Sequence, residues 1–598
     1  MTRFFEVMHR DSAARIGRLM VRGGIETPHI VRPSQHDDLI VDGGNALIHD
    51  QAISAPNSFN IAPHVGLPYH VRDDLVHFFA PSNKENDGAG YPVGAVIHPD
   101  QAIQGADLYI MAGARSIEGD PRALLDSFIK IRSLTRPDTA LYVPALATPE
   151  NIPLLIYLGA DVVDDVLTTI KAYQGHYLTA DGWFDLEELS DLPCNCEACR
   201  GNTIESLMAL QPVEKYDLLA KHNYLKLEEE VKRVKLHIRR GMLREYVEKQ
   251  CRSQPWLTAL LRLADAEYGY LEARTPTYRS SELLACSSES QNRVEVKRFA
   301  DRVRTRFRSD GKVLLIIPCS ARKPYSTSQS HMAIINALGR YRRYVREVIL
   351  TSPMGVVPRE LELVYPAAHY DVAVTGAWDL EERSWVSGCL RDFIDHNRFE
   401  RVIAHVEGPY VEVCAQADRE MIFTSTGRVT SDESLSQLVD QVRLAVDELS
   451  PQPRNHEQFM LDIFRKMADY EFGKGKGDLL VPAKGSVKGR APRFTLFDDK
   501  EQLCTINPAY GSLTLTIAGA KRMSLSNQYF VEIADFVPRG SILAPGVINA
   551  DPQIRPGDDV LITGRKAIGV GRAKMSGWEM IRAGRGMAVE TRHMEELK

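Results

Sequence analysis

Apolar residues recur along the chain in two rhythms. Up to about Thr275, short apolar runs alternate with stretches of helical spacing. Ala140–Leu146 (ALYVPAL) and Asp161–Leu167 (DVVDDVL) have the length of buried strands, and Asp120–Leu134 (DPRALLDSFIKIRSL) reads as a helix. This alternation predicts parallel β/α packing of the barrel type. Leu227, Val231, Val234 and Ile238 then recur every three to four residues among charges, which predicts a long amphipathic helix.

The polar, Ser-rich segment Cys286–Arg293 reads as a linker. Beyond it lie KVLLIIP, REVILTSP, YDVAVTG and RVIAHVEG, four apolar segments separated by helical patterns. They predict an open α/β domain, whose ligands sit beyond the carboxyl ends of the strands. SPQPRNHEQ (450–458) marks another break, followed by a small mixed region with a basic loop from Lys474 to Arg490. From about Asn527 short strands with Gly and Pro turns predict a β-rich module. The expected domains span residues 1–280, 294–450, 455–525 and 526–598.

Composition narrows the class. The 598 residues are 44% hydrophobic and 25% charged, as in soluble globular proteins. No apolar run reaches the roughly 18 residues that span a bilayer, and charges interrupt every apolar stretch of the first residues. A cytoplasmic protein without a membrane partner is expected. A net charge of −6 gives no global sign of nucleic-acid binding, so any such surface must be a local patch. Nine cysteines in this length do not suggest a disulfide framework.

Three of them cluster as Cys194, Cys196 and Cys199 in CNCEACRG, and His222 stands at the head of the amphipathic pattern. Three thiolates and an imidazole form a closed tetrahedral zinc site with no position left for water, which predicts a structural ion. This cluster and its helix resemble the zinc-binding segment of tRNA-guanine transglycosylases, zinc-stapled β/α barrels that exchange a guanine base in tRNA. GADVVDDVLTT resembles the family's segment for its nucleophilic Asp, which maps to Asp164. The family's Asp-Ser-Gly-Gly-Phe-Gln stretch is missing from this chain, and Ile170 stands where the family carries Arg. The resemblance therefore implies a retained scaffold with lost exchange chemistry, with Asp164 an acid at a strand end.

Directly after the apolar run KVLLII comes PCSARKPYSTSQSH, residues 318–331. A Cys between a strand and a following helix can gain thiolate character from the helix dipole and from cations, here Arg322 and Lys323. His331 reads as a proton carrier, and Tyr325, Ser326 and Ser328 as hydrogen-bond donors. The other reading is a structural Cys in a hydroxyl-rich turn. Pro318, Cys319, Lys323, Pro324, Tyr325, Ser328 and His331 fill every fixed place of the signature of archaeosine synthases, and TSPMGVVPRELELVYPAAHYDVAVTG resembles the same family's core.

That resemblance covers nearly the whole chain. It implies a tRNA substrate carrying 7-cyano-7-deazaguanine at position 15, whose nitrile becomes an amidine. It leaves the amine donor open between lysine and glutamine or ammonia. It also leaves open a radical SAM partner subunit and a homodimer. Cys319, Lys323 and His331 are the expected catalytic residues; Ser320, Tyr325, Ser328, Arg359 and Glu360 are the expected substrate-binding ones. Glu360 and Glu362, with His369 and Asp371, are candidates for the donor's amino group, and Arg359 for a phosphate. The C-terminal stretch resembles a PUA domain, an RNA-binding β-barrel, in which Arg565, Lys566, Arg572, Lys574, Arg582 and Arg585 supply basic character. Two other functions remain in view: base exchange by a tRNA-guanine transglycosylase, and a non-catalytic tRNA-binding subunit.

Overall fold

The computed structural model describes residues 4–42, 55–61, 91–100, 105–374 and 377–597. The chain divides into two compact units. One comprises Met1–Pro276 with Leu543–Val547 and Trp578–Ala588, and the other the remainder from Thr277 onward. No helix among the described residues is long and apolar enough to cross a membrane.

The first unit is built on a seven-stranded parallel sheet. Its order is His29–Val31, Val162–Asp164, Ala140–Tyr142, Leu108–Met111, Val93–Ile97, Phe59–Ile61 and Ile40–Asp42. Phe59, Leu108, Ala140 and Val162 pack into one core with Phe5 and Leu19 of the N-terminal antiparallel strands. Strand and helix alternate as expected of a transglycosylase-like β/α fold, but the strands are shorter than the apolar runs. After Asp164 the chain turns at once into the helix Val166–Tyr173, so DVVDDVL is half strand and half helix. The helix Pro121–Leu134 starts where Asp120 accepts hydrogen bonds from Arg122 N and Ala123 N. The amphipathic helix runs from Pro212 to Arg240 and ends at Gly241 in the left-handed region (φ 65°). His222 therefore lies well inside this helix rather than at its head.

The second unit centres on a five-stranded sheet in the order Gly355–Pro358, Val345–Thr351, Val313–Pro318, Arg401–Ala404 and Ile422–Phe423. All its pairings are parallel except that of the Gly355–Pro358 edge strand. Val313–Pro318 is buried at every position, as befits a central strand with both faces covered. Within YDVAVTG, the strand Tyr370–Val372 does not join this sheet. Tyr370–Val372 pairs instead with Leu283–Ala285, just ahead of the expected linker. That linker is itself ordered, as a 3-10 turn over Ser288–Asn292 with Glu289 and Ser290 buried.

Four antiparallel strands follow: Gly485–Arg490, Arg493–Asp498, Glu501–Asn507 and Ser512–Leu515. The expected basic loop is thus largely structured, as the helix Lys476–Leu480 and the first of these strands. The C-terminal sheet pairs Phe530–Ile533 with Asp559–Thr563, which continues through Ala567–Ala573 to Met587–Glu596. The whole is an α/β chain with a small α+β segment and a terminal β module.

Candidate active site

Val313–Pro318 and Arg401–Ala404 are central neighbours in the five-stranded sheet. The connection after the first leads to one side, toward Val345–Thr351, while the strand that follows Arg401–Ala404, Ile422–Phe423, lies on the other. Loops leaving two such strands diverge and open a crevice at their carboxyl ends. Cys319 follows the first strand directly. Glu407, Gly408 and Tyr410 follow the second, where Gly408, at φ 56°, turns the chain into the helix Pro409–Gln416. A cavity of about 520 Å³ occupies the crevice, and its wall includes Cys319, Ser352, Glu382, Glu407, Tyr410 and Arg428.

Cys319 is partly exposed at this wall. Its Sγ lies 3.0 Å from the Tyr410 hydroxyl. Trp378, also lining the cavity, meets the Tyr410 ring edge-on at 4.7 Å. Burial, and then the proximity of Cys319, raises the Tyr410 phenol above its ordinary pKa, so the hydroxyl keeps its proton. The Lys323 ammonium stacks over the Tyr370 ring at 3.9 Å. Burial lowers its pKa, while the charges of Cys319 and Asp371 act the other way. Tyr370 is fixed from behind by the Tyr325 hydroxyl at 2.8 Å and by the Thr351 hydroxyl.

The other residues of the motif build the loop. Ser328 caps the helix Gln329–Leu338 by accepting from His331 N. Ser320 donates to Arg322 O at 3.0 Å. His331 is 0% exposed. Its Nε2 donates to the Pro318 carbonyl at 2.9 Å and its Nδ1 accepts from Arg359 Nη2 at 2.8 Å. Burial, followed by the Arg359 charge, pushes its pKa down to about 4. With both nitrogens engaged, His331 sits behind the loop rather than at the cavity, and a proton-carrying role does not fit this environment.

Arg359 does not line the Cys319 cavity either. It is buried, with Nε 2.6 Å from Glu347 and Nη1 2.8 Å from Glu362. Burial would raise the Glu347 carboxyl, but Arg359 and Arg342 hold it at about 2. Glu360 pairs with Arg454, and His369 donates from Nε2 to Pro508 O at 2.7 Å. Glu360, Glu362 and His369 are thus spent on the frame, and the carboxylates at the cavity are Glu382 and Glu407. Glu382 accepts from the Ser352 hydroxyl at 2.7 Å, and Glu407 from Val429 N at 2.6 Å.

In the first unit, the ligand atoms of Cys194, Cys196, Cys199 and His222 lie within 4.8 Å of one another. His222 Nδ1 is 3.4 Å from the Cys196 sulfur and 3.2 Å from that of Cys199. The far nitrogen, Nε2, donates to Leu178 O at 2.9 Å and Tyr177 stacks on the ring at 3.8 Å, so Nδ1 is left facing the thiols. Distances of this size suit four ligands around one tetrahedral ion, and the cluster can bind a metal of the zinc type. Asp164 is buried and accepts from the Tyr142 hydroxyl at 2.6 Å, from Ala145 N and from Val166 N. Its carboxylate therefore closes the turn that ends its strand.

Four family models match successive parts of the chain. Residues 100–255 match queuine tRNA-ribosyltransferase, and 296–442 a domain of unknown function, DUF5591. Residues 462–529 match the patch-forming domain C2 of tRNA-guanine transglycosylase, and 531–594 the PUA domain. The archaeosine synthase subunit alpha of Methanosarcina acetivorans is 45% identical over 100% of both chains. The chain belongs to the archaeosine synthase family. The archaeosine synthase of Haloferax volcanii is 40% identical, again over 100% of both chains. The tRNA-guanine(15) transglycosylase of Methanothermobacter thermautotrophicus is 28% identical over 79% of this chain and 68% of its own.

Within this archaeosine synthase fold, the cavity lies in the part that matches the domain of unknown function. Tyr410, Glu382, Glu407 and Arg428 are its polar residues that motif reading passed over. The cue in the sequence was EGPY directly after the central strand RVIAHV. In the PUA domain Arg565, Lys566 and Arg582 are exposed, whereas Arg572 is buried against Asp559 at 3.1 Å and serves the fold. Lys574 pairs with Glu590 at 2.7 Å, and Arg585 is partly exposed.

Proposed function

We propose that the chain modifies tRNA in archaeosine biosynthesis by adding an amine to the nitrile of 7-cyano-7-deazaguanine at position 15. The observation that carries this reading is Cys319, accessible on the wall of a cavity of about 520 Å³ at the switch point of the second unit's sheet. A cavity of this size suits a flat base with a small partner. The Cys319 sulfur adds to the nitrile carbon, giving a thioimidate, and the amine then displaces the sulfur to leave an amidine. Lys323 supplies positive charge beside the reacting sulfur. Glu382 and Glu407 face the entering donor and attract its ammonium group, the task first read onto Glu360 and Glu362. His331 and Arg359 hold the loop in place. The exposed PUA arginines and lysine draw the tRNA backbone, and the cysteine–histidine cluster carries a structural zinc.

The test is conversion of nitrile-bearing tRNA with lysine, glutamine and ammonia supplied separately, read by the mass of the released nucleoside. The expected product gains the mass of lysine in the lysine arm, or of ammonia in the glutamine and ammonia arms, with wild-type protein and is absent with Cys319→Ala. Conversion by Cys319→Ala at the wild-type rate removes the thioimidate. Release of guanine from unmodified tRNA, run as a separate arm, supports transglycosylation instead, and binding without change in every arm supports a tRNA-presenting subunit.

A further inference from the structure

Adding a thiol to a nitrile requires a proton to reach the nitrile nitrogen as the C–S bond forms, and the motif residue chosen for that task cannot deliver it. His331 is buried with both nitrogens bonded, one to Pro318 O and one to Arg359. Tyr325 and Tyr370 are fully buried, bonded to each other and to Thr351. Ser320 and Ser328 are committed to a backbone carbonyl and a helix cap. One hydroxyl does touch the sulfur. Tyr410 Oη lies 3.0 Å from Cys319 Sγ, and both residues line the same cavity.

Its placement is also fixed. Tyr410 is the second residue of the helix Pro409–Gln416, set by Gly408 at the end of the neighbouring strand, and its ring packs against Trp378. A nitrile carbon within bonding reach of Sγ puts its nitrogen about 1.2 Å further on, within reach of a hydroxyl that already contacts the sulfur.

Resting on the nitrile chemistry above, we propose that Tyr410 is a catalytic residue that relays a proton between the Cys319 sulfur and the substrate nitrogen. In the first half-reaction, sulfur donates its electron pair to the nitrile carbon and one C–N π pair takes a proton from the Tyr410 hydroxyl. The thiol proton refills the phenol oxygen. The product is a neutral thioimidate, C(=NH)–S, with no net change at Tyr410. In the second half-reaction the amine forms a C–N bond, the C–S bond breaks, and an N–H proton of the amine passes through the phenol oxygen to sulfur. The sum is nitrile plus amine giving amidine, with no oxidant or reductant. Tyr410 remains un-ionised at rest, in keeping with the raised phenol pKa.

The experiment compares wild type with Tyr410→Phe, Lys323→Met and Cys319→Ala on nitrile-bearing tRNA without donor. The protein–tRNA adduct is followed by intact mass, and tRNA Kd and thermal melting are recorded for each variant. Tyr410→Phe is expected to slow adduct formation by about 100-fold or more, the contribution of a positioned proton donor, with tRNA Kd and melting temperature unchanged. Adduct formation at the wild-type rate in Tyr410→Phe overturns the proposal, and a collapse confined to Lys323→Met moves the proton to Lys323. A loss in Tyr410→Phe that tracks weaker tRNA binding or a lower melting temperature assigns Tyr410 to packing and overturns it as well. Full conversion by Cys319→Ala, with donor present, is a separate result that overturns the thioimidate itself.

Discussion

His331 has no exposed surface and both ring nitrogens are engaged, so its titration belongs to folding rather than to turnover. Its pKa is about 4 in the fold against an ordinary value near 6.5. The unfolded chain therefore binds the proton more readily. The stabilisation is complete above about pH 6.5 and is lost as pH falls toward 4, by up to about 3 kcal/mol for a shift of this size. Hydrogen-exchange protection of the helix Gln329–Leu338, corrected for intrinsic exchange, should fall across that window. His331→Gln should begin lower and show a smaller fall, with an unchanged pH profile of turnover. An identical pH dependence in the variant, or loss of the acid limb of turnover, would return His331 to the chemistry. The motif made Cys319 and its polar neighbours legible. It could not say which of them face the cavity, because Arg359 and Glu347, which hold His331 away from it, lie 28 and 16 residues further along the chain. Tyr410 was hidden for the same reason, 91 residues from the sulfur it touches.

At the scale of elements, the loop Cys194–Cys199 has no regular structure of its own and is joined to the helix Pro212–Arg240 at His222. Metal analysis should find one zinc per chain. Chelation, or Cys199→Ser, should release it and open this loop to proteolysis, leaving hydrogen exchange of Val313–Pro318 unchanged. Retention of full protease resistance after zinc loss would mean that Tyr177, whose hydroxyl lies 3.3 Å from the Cys199 sulfur, and the surrounding apolar residues hold the loop without an ion. Period and length made most elements legible: Pro121–Leu134 lies where the apolar spacing puts it, and Leu227 to Ile238 fall inside Pro212–Arg240, which stops at Gly241 although the helical pattern runs on into the separate helix Leu243–Gln250. Apolar runs overstate strands where they continue into the first turn of the following helix, as at Val166 and Leu167. Tyr370–Val372 reads like a sheet strand from its apolar residues, yet only Tyr370 is buried, and pairing with Leu283–Ala285 is a long-range choice that no local pattern encodes.

For the whole molecule, a net charge of −6 must meet a polyanion through local patches. Replacing Arg565 and Lys566 by Glu should weaken tRNA binding and flatten the dependence of log Kd on log salt by about one to two units, since each lost phosphate contact releases fewer counterions. Arg572→Ala should act through stability instead, because its guanidinium is buried on Asp559 and 4.3 Å above the Tyr510 ring. Unchanged salt dependence in the double Glu variant would place the RNA elsewhere. The cavity draws its walls from separate strand ends: Cys319 from one, Glu407 and Tyr410 from another, Arg428 from a third. In the proposed reaction, attack and choice of nucleophilic nitrogen would thereby be written on different loops, and replacing the Glu407 or Arg428 loop would retune which amine is accepted while the sulfur stays where it is.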